Sequence, residues 1–267
     1  MDMRIHELHY SNTNTYLIEG EKGKLLFDTG WAGTFPAFCK SLCEIKVAVQ
    51  DIDYILISHY HPDHMGIAQE IADQGAILLV PDVQETYLHA ADSVFEKEKN
   101  RTFIPIRDDK AQKISLEKGS AVLSGIGLNG RIIYTPGHSD DSISLYLDSG
   151  DLFVGDLNPL YELEMHKGTQ IEESWNKLLA LKPKRVYYGH AKTAIIGESK
   201  DSPKTSSNQY ALVADIVKLI DTGCDTGKIQ KKTGADAVFI QDVMRMYLTH
   251  QNVGVQGILD RIEIKNK

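Results

Sequence analysis

The stretch Ser58-His59-Tyr60-His61-Pro62-Asp63-His64-Met65-Gly66 decides how this chain is read. Four side chains able to bind a metal fall within six residues. They follow the apolar run Ile52-Asp53-Tyr54-Ile55-Leu56-Ile57, which reads as a buried strand. The amphipathic run Ile67 to Ala72 follows and reads as a helix. The cluster therefore sits on a strand-to-helix loop, where layered α/β proteins mount chemistry. In extended chain, residues two apart point the same way, so His59 and His61 can grip one ion together. Asp63 and His64 lie where the chain turns and can aim at a second ion beside the first. Pro62 stiffens that turn, and Gly66 lets the backbone tighten as the helix begins. A mostly imidazole site with a hard carboxylate favours zinc, iron or manganese over copper.

Outward from this loop one pattern recurs. An apolar strand ends in a small residue followed by a metal-capable one: Ser58-His59, Gly137-His138, Gly155-Asp156 and Gly189-His190. Packing alone rarely aligns four such strand ends. Asp28, in Asp28-Thr29-Gly30 after the strand Leu25-Leu26-Phe27, reads either as a turn former or as an acceptor that orients a ligand-bearing loop. Tyr60, Asn158 and Tyr161 are near the cluster or Asp156 in sequence, and each reads better as an ordinary buried or surface residue. His89, alone in a helical stretch, is left out of the site.

The motif His59-x-His61-x-Asp63-His64 after an apolar strand resembles the signature of the metallo-β-lactamase superfamily, over about residues 5 to 195. The resemblance implies an α/β fold, a four-layer αββα sandwich, here with a helical C-terminal extension. It implies that His59, His61 and His138 bind one ion, that Asp63, His64 and His190 bind a second, and that Asp156 bridges them. Asp63 is also expected to take part in catalysis. The lactam-hydrolysing branches usually lack the bridging Asp, so Asp156 points to the glyoxalase II-like, lactonase-like and phosphodiesterase-like branches.

Two divalent ions, zinc first with iron or manganese as alternatives, would activate a bridging hydroxide. The expected activity is hydrolysis at the carbonyl of a thioester, ester or lactone. A phosphodiesterase or nuclease using the same ions is the alternative, and an iron-dependent sulfur dioxygenase is another. No Gly-x-Ser-x-Gly elbow supports a serine hydrolase.

The formal net charge of −8 disfavours nucleic acid, which is bound mainly through Lys and Arg, so a small-molecule substrate is expected. No apolar stretch reaches the length of a membrane span. The three cysteines and the absence of an apolar leader at Met1-Asp2-Met3-Arg4 point to the cytoplasm. Cys39 and Cys43 read as buried thiols on a helix spanning Thr34 to Val49.

Strands are expected at 3–10, 15–18, 76–80, 102–106, 142–147, 152–154 and 185–188. A hairpin is expected to join strands 121–126 and 131–135 through Leu128-Asn129-Gly130. Helices are expected at 82–99 and 171–181. Gly197 to Asn208 reads as a linker or exposed loop, dividing a catalytic domain (1–198) from a helical extension (199–267) with helices at 210–220, 229–232, 237–250 and 255–262. The extension could pack on the catalytic domain, form a lid or mediate a homo-oligomer.

Overall fold

The computed structural model describes residues 3–100, 102–197, 207–249 and 254–265. In chain order it contains β1 (Arg4–Leu8), β2 (Thr15–Glu19), β3 (Lys24–Phe27), α1 (Phe35–Glu44), β4 (Tyr54–Leu56), α2 (Pro62–Met65), α3 (Ala68–Ala72) and β5 (Ile77–Pro81). There follow α4 (Asp92–Lys97), β6 (Ala111–Ile114), α5 (Leu116–Gly125), β7 (Gly130–Tyr134), β8 (Ile143–Leu147), β9 (Asp151–Phe153), α6 (Gln170–Leu179), β10 (Arg185–Tyr187) and β11 (Ala194–Ile195). The C-terminal segment is α7 (Ser207–Asp221), α8 (Thr226–Thr233), α9 (Ala237–Thr249) and α10 (Val255–Lys265).

Two sheets form, in the orders β1-β2-β3-β4-β5-β6 and β11-β10-β9-β8-β7. Strand alternation explains how they stack, because successive side chains leave opposite faces. Tyr16, Ile18, Leu25 and Phe27 point inward to meet Leu145, Leu147, Phe153 and Tyr187 of the other sheet. Their neighbours Leu17, Leu26, Ile55 and Leu78 point outward onto Phe38, Leu42 and Ile71 of α1 and α3. On the far side, Tyr146, Leu152 and Val186 pack on Trp175 and Leu178 of α6. These three apolar layers make the αββα sandwich. The helices α7 to α10 enclose a core of their own around Val213, Ile216, Ile240, Val243 and Ile258. Among the described residues, no helix is long and apolar enough to cross a membrane.

Several local expectations are corrected. Residues 121–126 are not a strand: α5 covers 121–125 with Ile126 as its C-cap, and Leu128-Asn129-Gly130 links α5 to β7. Leu116, Gly119, Leu123 and Ile126 recur at intervals of three and four, the helical period, and Leu123 and Ile126 are buried on the inter-sheet core. No strand forms at 102–106; the edge strand β6 instead takes up the end of the polar run 107–113 and buried Ile114, with Gln112 and Lys113 exposed. Polar residues are how an edge strand avoids further pairing. The helix expected at 82–99 is broken into a 3-10 segment, Asp82–Tyr87, and α4. Buried Gln84 pins the first part, its amide donating to the carbonyls of Ile57, Ser58 and Asp141. The first helix stops at Glu44, and Lys46 then takes a left-handed φ of 60°. Cys43 is exposed and Cys39 half-buried, so they are not a buried pair. Most of the expected linker lies outside the described residues.

Candidate metal centre

Four of the seven expected ligands leave the C-terminal end of a strand, and His61, Asp63 and His64 follow on the turn into α2. His59 follows β4, His138 follows β7, Asp156 follows β9 and His190 follows β10. Because β3–β6 run parallel, as do β9 and β10, these ends gather on one edge of the sandwich. Two glycines permit the approach. Gly155 takes φ 55°, and any Cβ there would meet Ser58 Oγ at 2.4 Å. A Cβ on Gly189 would stand 2.6 Å from Asp156 Oδ1.

All seven expected side chains converge. His59 Nε2 and His61 Nδ1 lie 2.9 Å apart, and His138 Nε2 lies 3.2 Å from His61 Nδ1. Asp63 Oδ2 lies 3.0 Å from His190 Nε2 and 3.9 Å from His64 Nε2. Asp156 stands between the two groups. Its Oδ1 is 3.2 Å from His64 Nε2, and its Oδ2 is 3.6 Å from His138 Nε2 and 3.5 Å from His190 Nε2. The triads His59/His61/His138 and Asp63/His64/His190 each present donor atoms within 4.8 Å of one another, as do His59, His64 and Asp156.

The outer partners fix which nitrogen faces inward. The Ser58 hydroxyl donates to Asp28 Oδ2, so His59 Nδ1–H donates to Ser58 Oγ and leaves Nε2 free as a donor to metal. His64 Nδ1–H donates to Asp28 Oδ2 at 2.9 Å. His190 Nδ1–H donates to the Asn12 carbonyl at 2.9 Å. Asp28 is fully buried, takes φ 62°, and also accepts from the Ser58 amide at 2.7 Å. Of its two sequence readings, the acceptor is the one the structure bears out. Thr13 Oγ1 donates to the Asp63 carbonyl, and Asn14 Nδ2 donates to the carbonyls of Tyr188 and Ala191. The β1–β2 loop thus braces both the Asp63 turn and the His190 turn.

Electrostatics favour a cation here. Burial opposes charge on Asp156, but His190 and His64 outweigh it and hold the carboxyl well below its usual range. Burial likewise opposes charge on Asp63, and His64 and His190 again win. Burial alone would depress His64; Asp156, Asp28 and Asp63 instead raise it well above its ordinary value. Burial pushes His138 down to about 4, and it depresses His59 strongly, with His64 and His138 adding to that. His64 Nε2 and Asp156 Oδ1 are buried and face each other without an aligned hydrogen bond. Two orphaned donor atoms amid imidazoles and carboxylates fit divalent metal.

The secondary candidates stand elsewhere. Tyr60 is buried in the core beneath α3. Asn158 Nδ2 donates to Glu162 Oε2. Tyr161 donates to Asp260 Oδ2 on α10 at 2.7 Å. His89 pairs with Asp92 and Asp108 on the surface, outside the cluster. The sequence reading missed Asn12 and Thr13, which lie far from the motif in a polar loop with no pattern of their own. It also missed Arg261 of α10, buried beside Asp156 and His190.

A family model of the metallo-beta-lactamase superfamily matches residues 10–190, and the chain belongs to that superfamily. A beta-lactamase-like protein 2 homolog of Drosophila melanogaster is 29% identical over 187 residues, 67% of this chain and 58% of that protein. The chain therefore spans less than two thirds of that relative's length. An atrochrysone carboxyl ACP thioesterase of Aspergillus fumigatus is 29% identical over 147 residues, 54% of this chain and 29% of the other. Among solved structures, a metallo-beta-lactamase family protein of Thermus thermophilus, TTHA1429, is similar at TM-score 0.51 and 20% identity, covering 98% of this chain and 92% of that one. TTHA1623, solved in a di-iron-bound form, is similar at TM-score 0.55 and 20% identity, covering 73% and 95%. At such identities the structural likeness is one of fold.

Proposed function

We propose that the chain is a dinuclear metal-dependent hydrolase acting on the carbonyl of a thioester, ester or lactone. The observation that carries this reading is the place of Asp156, one carboxylate facing His138 on one side and His64 and His190 on the other. His59, His61 and His138 would hold one ion, Asp63, His64 and His190 the other, and Asp156 both. When bound, such ions supply Lewis acidity and bring the pKa of water towards neutrality. The chain's own part is to fix that geometry. Asp28 and Asn12 hold the tautomers of His64 and His190, and Thr13 holds the turn that aims Asp63. The Asp63 side chain is partly exposed, so its carboxylate can take a proton from the attacking water as well as hold an ion.

The thioesterase among the relatives supports an acyl substrate. The nitrogen-rich donor set supports zinc, and the di-iron form of TTHA1623 keeps iron as the alternative metal. The separate apolar core of α7 to α10 supports a division into a catalytic domain, 1–198, and a helical extension, 199–267.

The test pairs metal analysis with turnover. Zinc-loaded protein is expected to hydrolyse an activated thioester or lactone in preference to an activated phosphodiester. His138→Ala and Asp156→Ala should each lower bound metal and abolish that turnover. Preference for the phosphodiester, or bound iron with oxygen consumption, would overturn the acyl-hydrolase reading. Unchanged metal content in both variants would overturn the site.

A further inference from the structure

The three histidines assigned to one ion come from two segments, the end of β4 and the loop between β7 and β8, and a buried network laces these together. The chain is extended as it reaches His61, so the Tyr60 ring goes into the core while His59 and His61 face the centre. The Tyr60 amide, between the two ligands, donates to Asp141 Oδ2 at 2.6 Å. Asp141 is only 3% exposed and lies on the loop that carries His138. Its carbonyl accepts from Gln84 Nε2 at 3.0 Å, and the same nitrogen donates to the carbonyls of Ile57 and Ser58. The Ile143 amide donates to the Ser58 carbonyl at 2.8 Å, and the Ser139 and Ser142 hydroxyls share a bond of 2.7 Å that tightens the loop.

The Gln84 and Ile143 bonds end at Ile57 and Ser58, before the first ligand. Among the described residues, the bond to Asp141 is the one hydrogen bond that joins the backbone of 59–61 to a distant segment. It therefore grips the chain between two ligands from the loop that carries the third. Metal ligation tolerates errors of only about 0.2 Å. A slip between the two segments would carry His138 Nε2 away from His61 Nδ1, now 3.2 Å distant, and from His59 beside it. The other triad is braced elsewhere: Asp28 bonds His64, Asn12 bonds His190, and Thr13 bonds the Asp63 turn.

We propose that Asp141 is a positioning residue for the three-histidine ion: by accepting from the Tyr60 amide it holds His138 in register with His59 and His61. This rests on the metal-centre reading above, and not on the choice of substrate. The two ions then have different supports, Asp141 for one and chiefly Asp28 for the other, and either can be weakened with the other retained.

Metal binding by the full chain tests it without any substrate. In zinc titration against a chromophoric chelator, wild type is expected to hold two equivalents. Asp141→Ala should hold one tightly and one about ten- to a hundredfold more weakly, the usual cost of losing a group that orients a ligand. Asp141→Asn keeps an oxygen for the Tyr60 amide and should return close to wild type. Asp141→Glu keeps the carboxylate but shifts its grip by one methylene; it should weaken one ion as the Ala variant does, and it serves if that variant does not fold. Proton NMR of the cobalt-substituted proteins identifies the ion, because imidazole N–H signals of bound histidines are shifted by the metal. The signals lost in His138→Ala mark the three-histidine ion, and the same signals should fade in Asp141→Ala while those of His64 and His190 stay. Equal weakening of both ions would mean a merely structural role and would overturn the proposal, as would an Asn variant no better than Ala. Two ions at wild-type affinity in the Ala and Glu variants would overturn it and leave the metal centre standing. A wild type that binds no zinc or cobalt would overturn the metal centre, and the proposal with it.

Discussion

Asp28→Asn is the substitution that separates the metal-centre reading from a merely polar cluster. It changes one atom, which touches the expected ligands only through hydrogen bonds. Asn tolerates the left-handed φ of 62° that Asp28 occupies, so backbone strain is held constant. The Ser58 amide donates to Oδ1 at 2.7 Å, which keeps the side-chain oxygen on that side. The new NH2 then replaces Oδ2 and faces His64 Nδ1 at 2.9 Å. Two donors cannot share that contact. His64 must move its proton to Nε2 so that Nδ1 can accept. That removes the lone pair aimed at Asp156 and the second ion. Loss of such a partner costs about 10–100-fold in metal affinity, or about 1.4–2.7 kcal/mol. The loss should be larger at the ion held by His64, which bonds Asp28 directly, than at the ion held by His59, which reaches it through the Ser58 hydroxyl and shares that ion with His61 and His138. Chelator competition with inductively coupled plasma analysis would follow it. Wild type should hold two equivalents of zinc, and Asp28→Asn one tight equivalent and one weak. Two equivalents at wild-type affinity would refute the reasoning, since the tautomer of His64 would then not matter.

Two other outcomes follow from the same geometry. Gly189→Ala needs no left-handed backbone, but its Cβ would come within 2.6 Å of Asp156 Oδ1 and 2.8 Å of His64 Cε1; bound zinc should drop at least about tenfold, and full metal content would count against Asp156 and His64 as neighbours at the centre. For metal-free protein, His138 sits at about 4 against an ordinary 6.5, so between those values the unfolded chain binds the extra proton and stability falls as pH falls. The loss is roughly 3 kcal/mol by pH 4; His64, raised above 6.5, contributes stability already complete below that pH and does not oppose it. Thermal melts from pH 7 to 4 should show the decline, and His138→Asn should flatten this part of it; identical slopes in both proteins would refute the attribution.

What the sequence made legible divides by the range over which residues act. The convergence of His59, His138, Asp156 and His190 was legible because each follows an apolar strand ending in a small residue, and parallel strands must put such ends on one edge. The inter-sheet core was legible for the same reason, since Leu25-Leu26-Phe27 or Leu152-Phe153 alternates faces by strand geometry alone. Residues 121–126 were misread where two periods overlap: Ala121-Val122-Leu123 is apolar enough for a strand, and only the wider spacing of Leu116, Gly119, Leu123 and Ile126 reveals a helix. Asp28 was half legible, its turn chemistry visible and its contact with Ser58 and His64 not. Arg261 was not legible at all. Nothing in Val255–Lys265 marks it among other helical charges. It comes beside Asp156 and His190 because the Tyr161–Asp260 and Glu162–Gly254 bonds fold the extension back over a loop about a hundred residues earlier. The local code thus specifies a metal-binding edge common to a superfamily. Long-range contacts such as Tyr161–Asp260 and Glu162–Gly254 bring the extension against that edge, and no local pattern announces them.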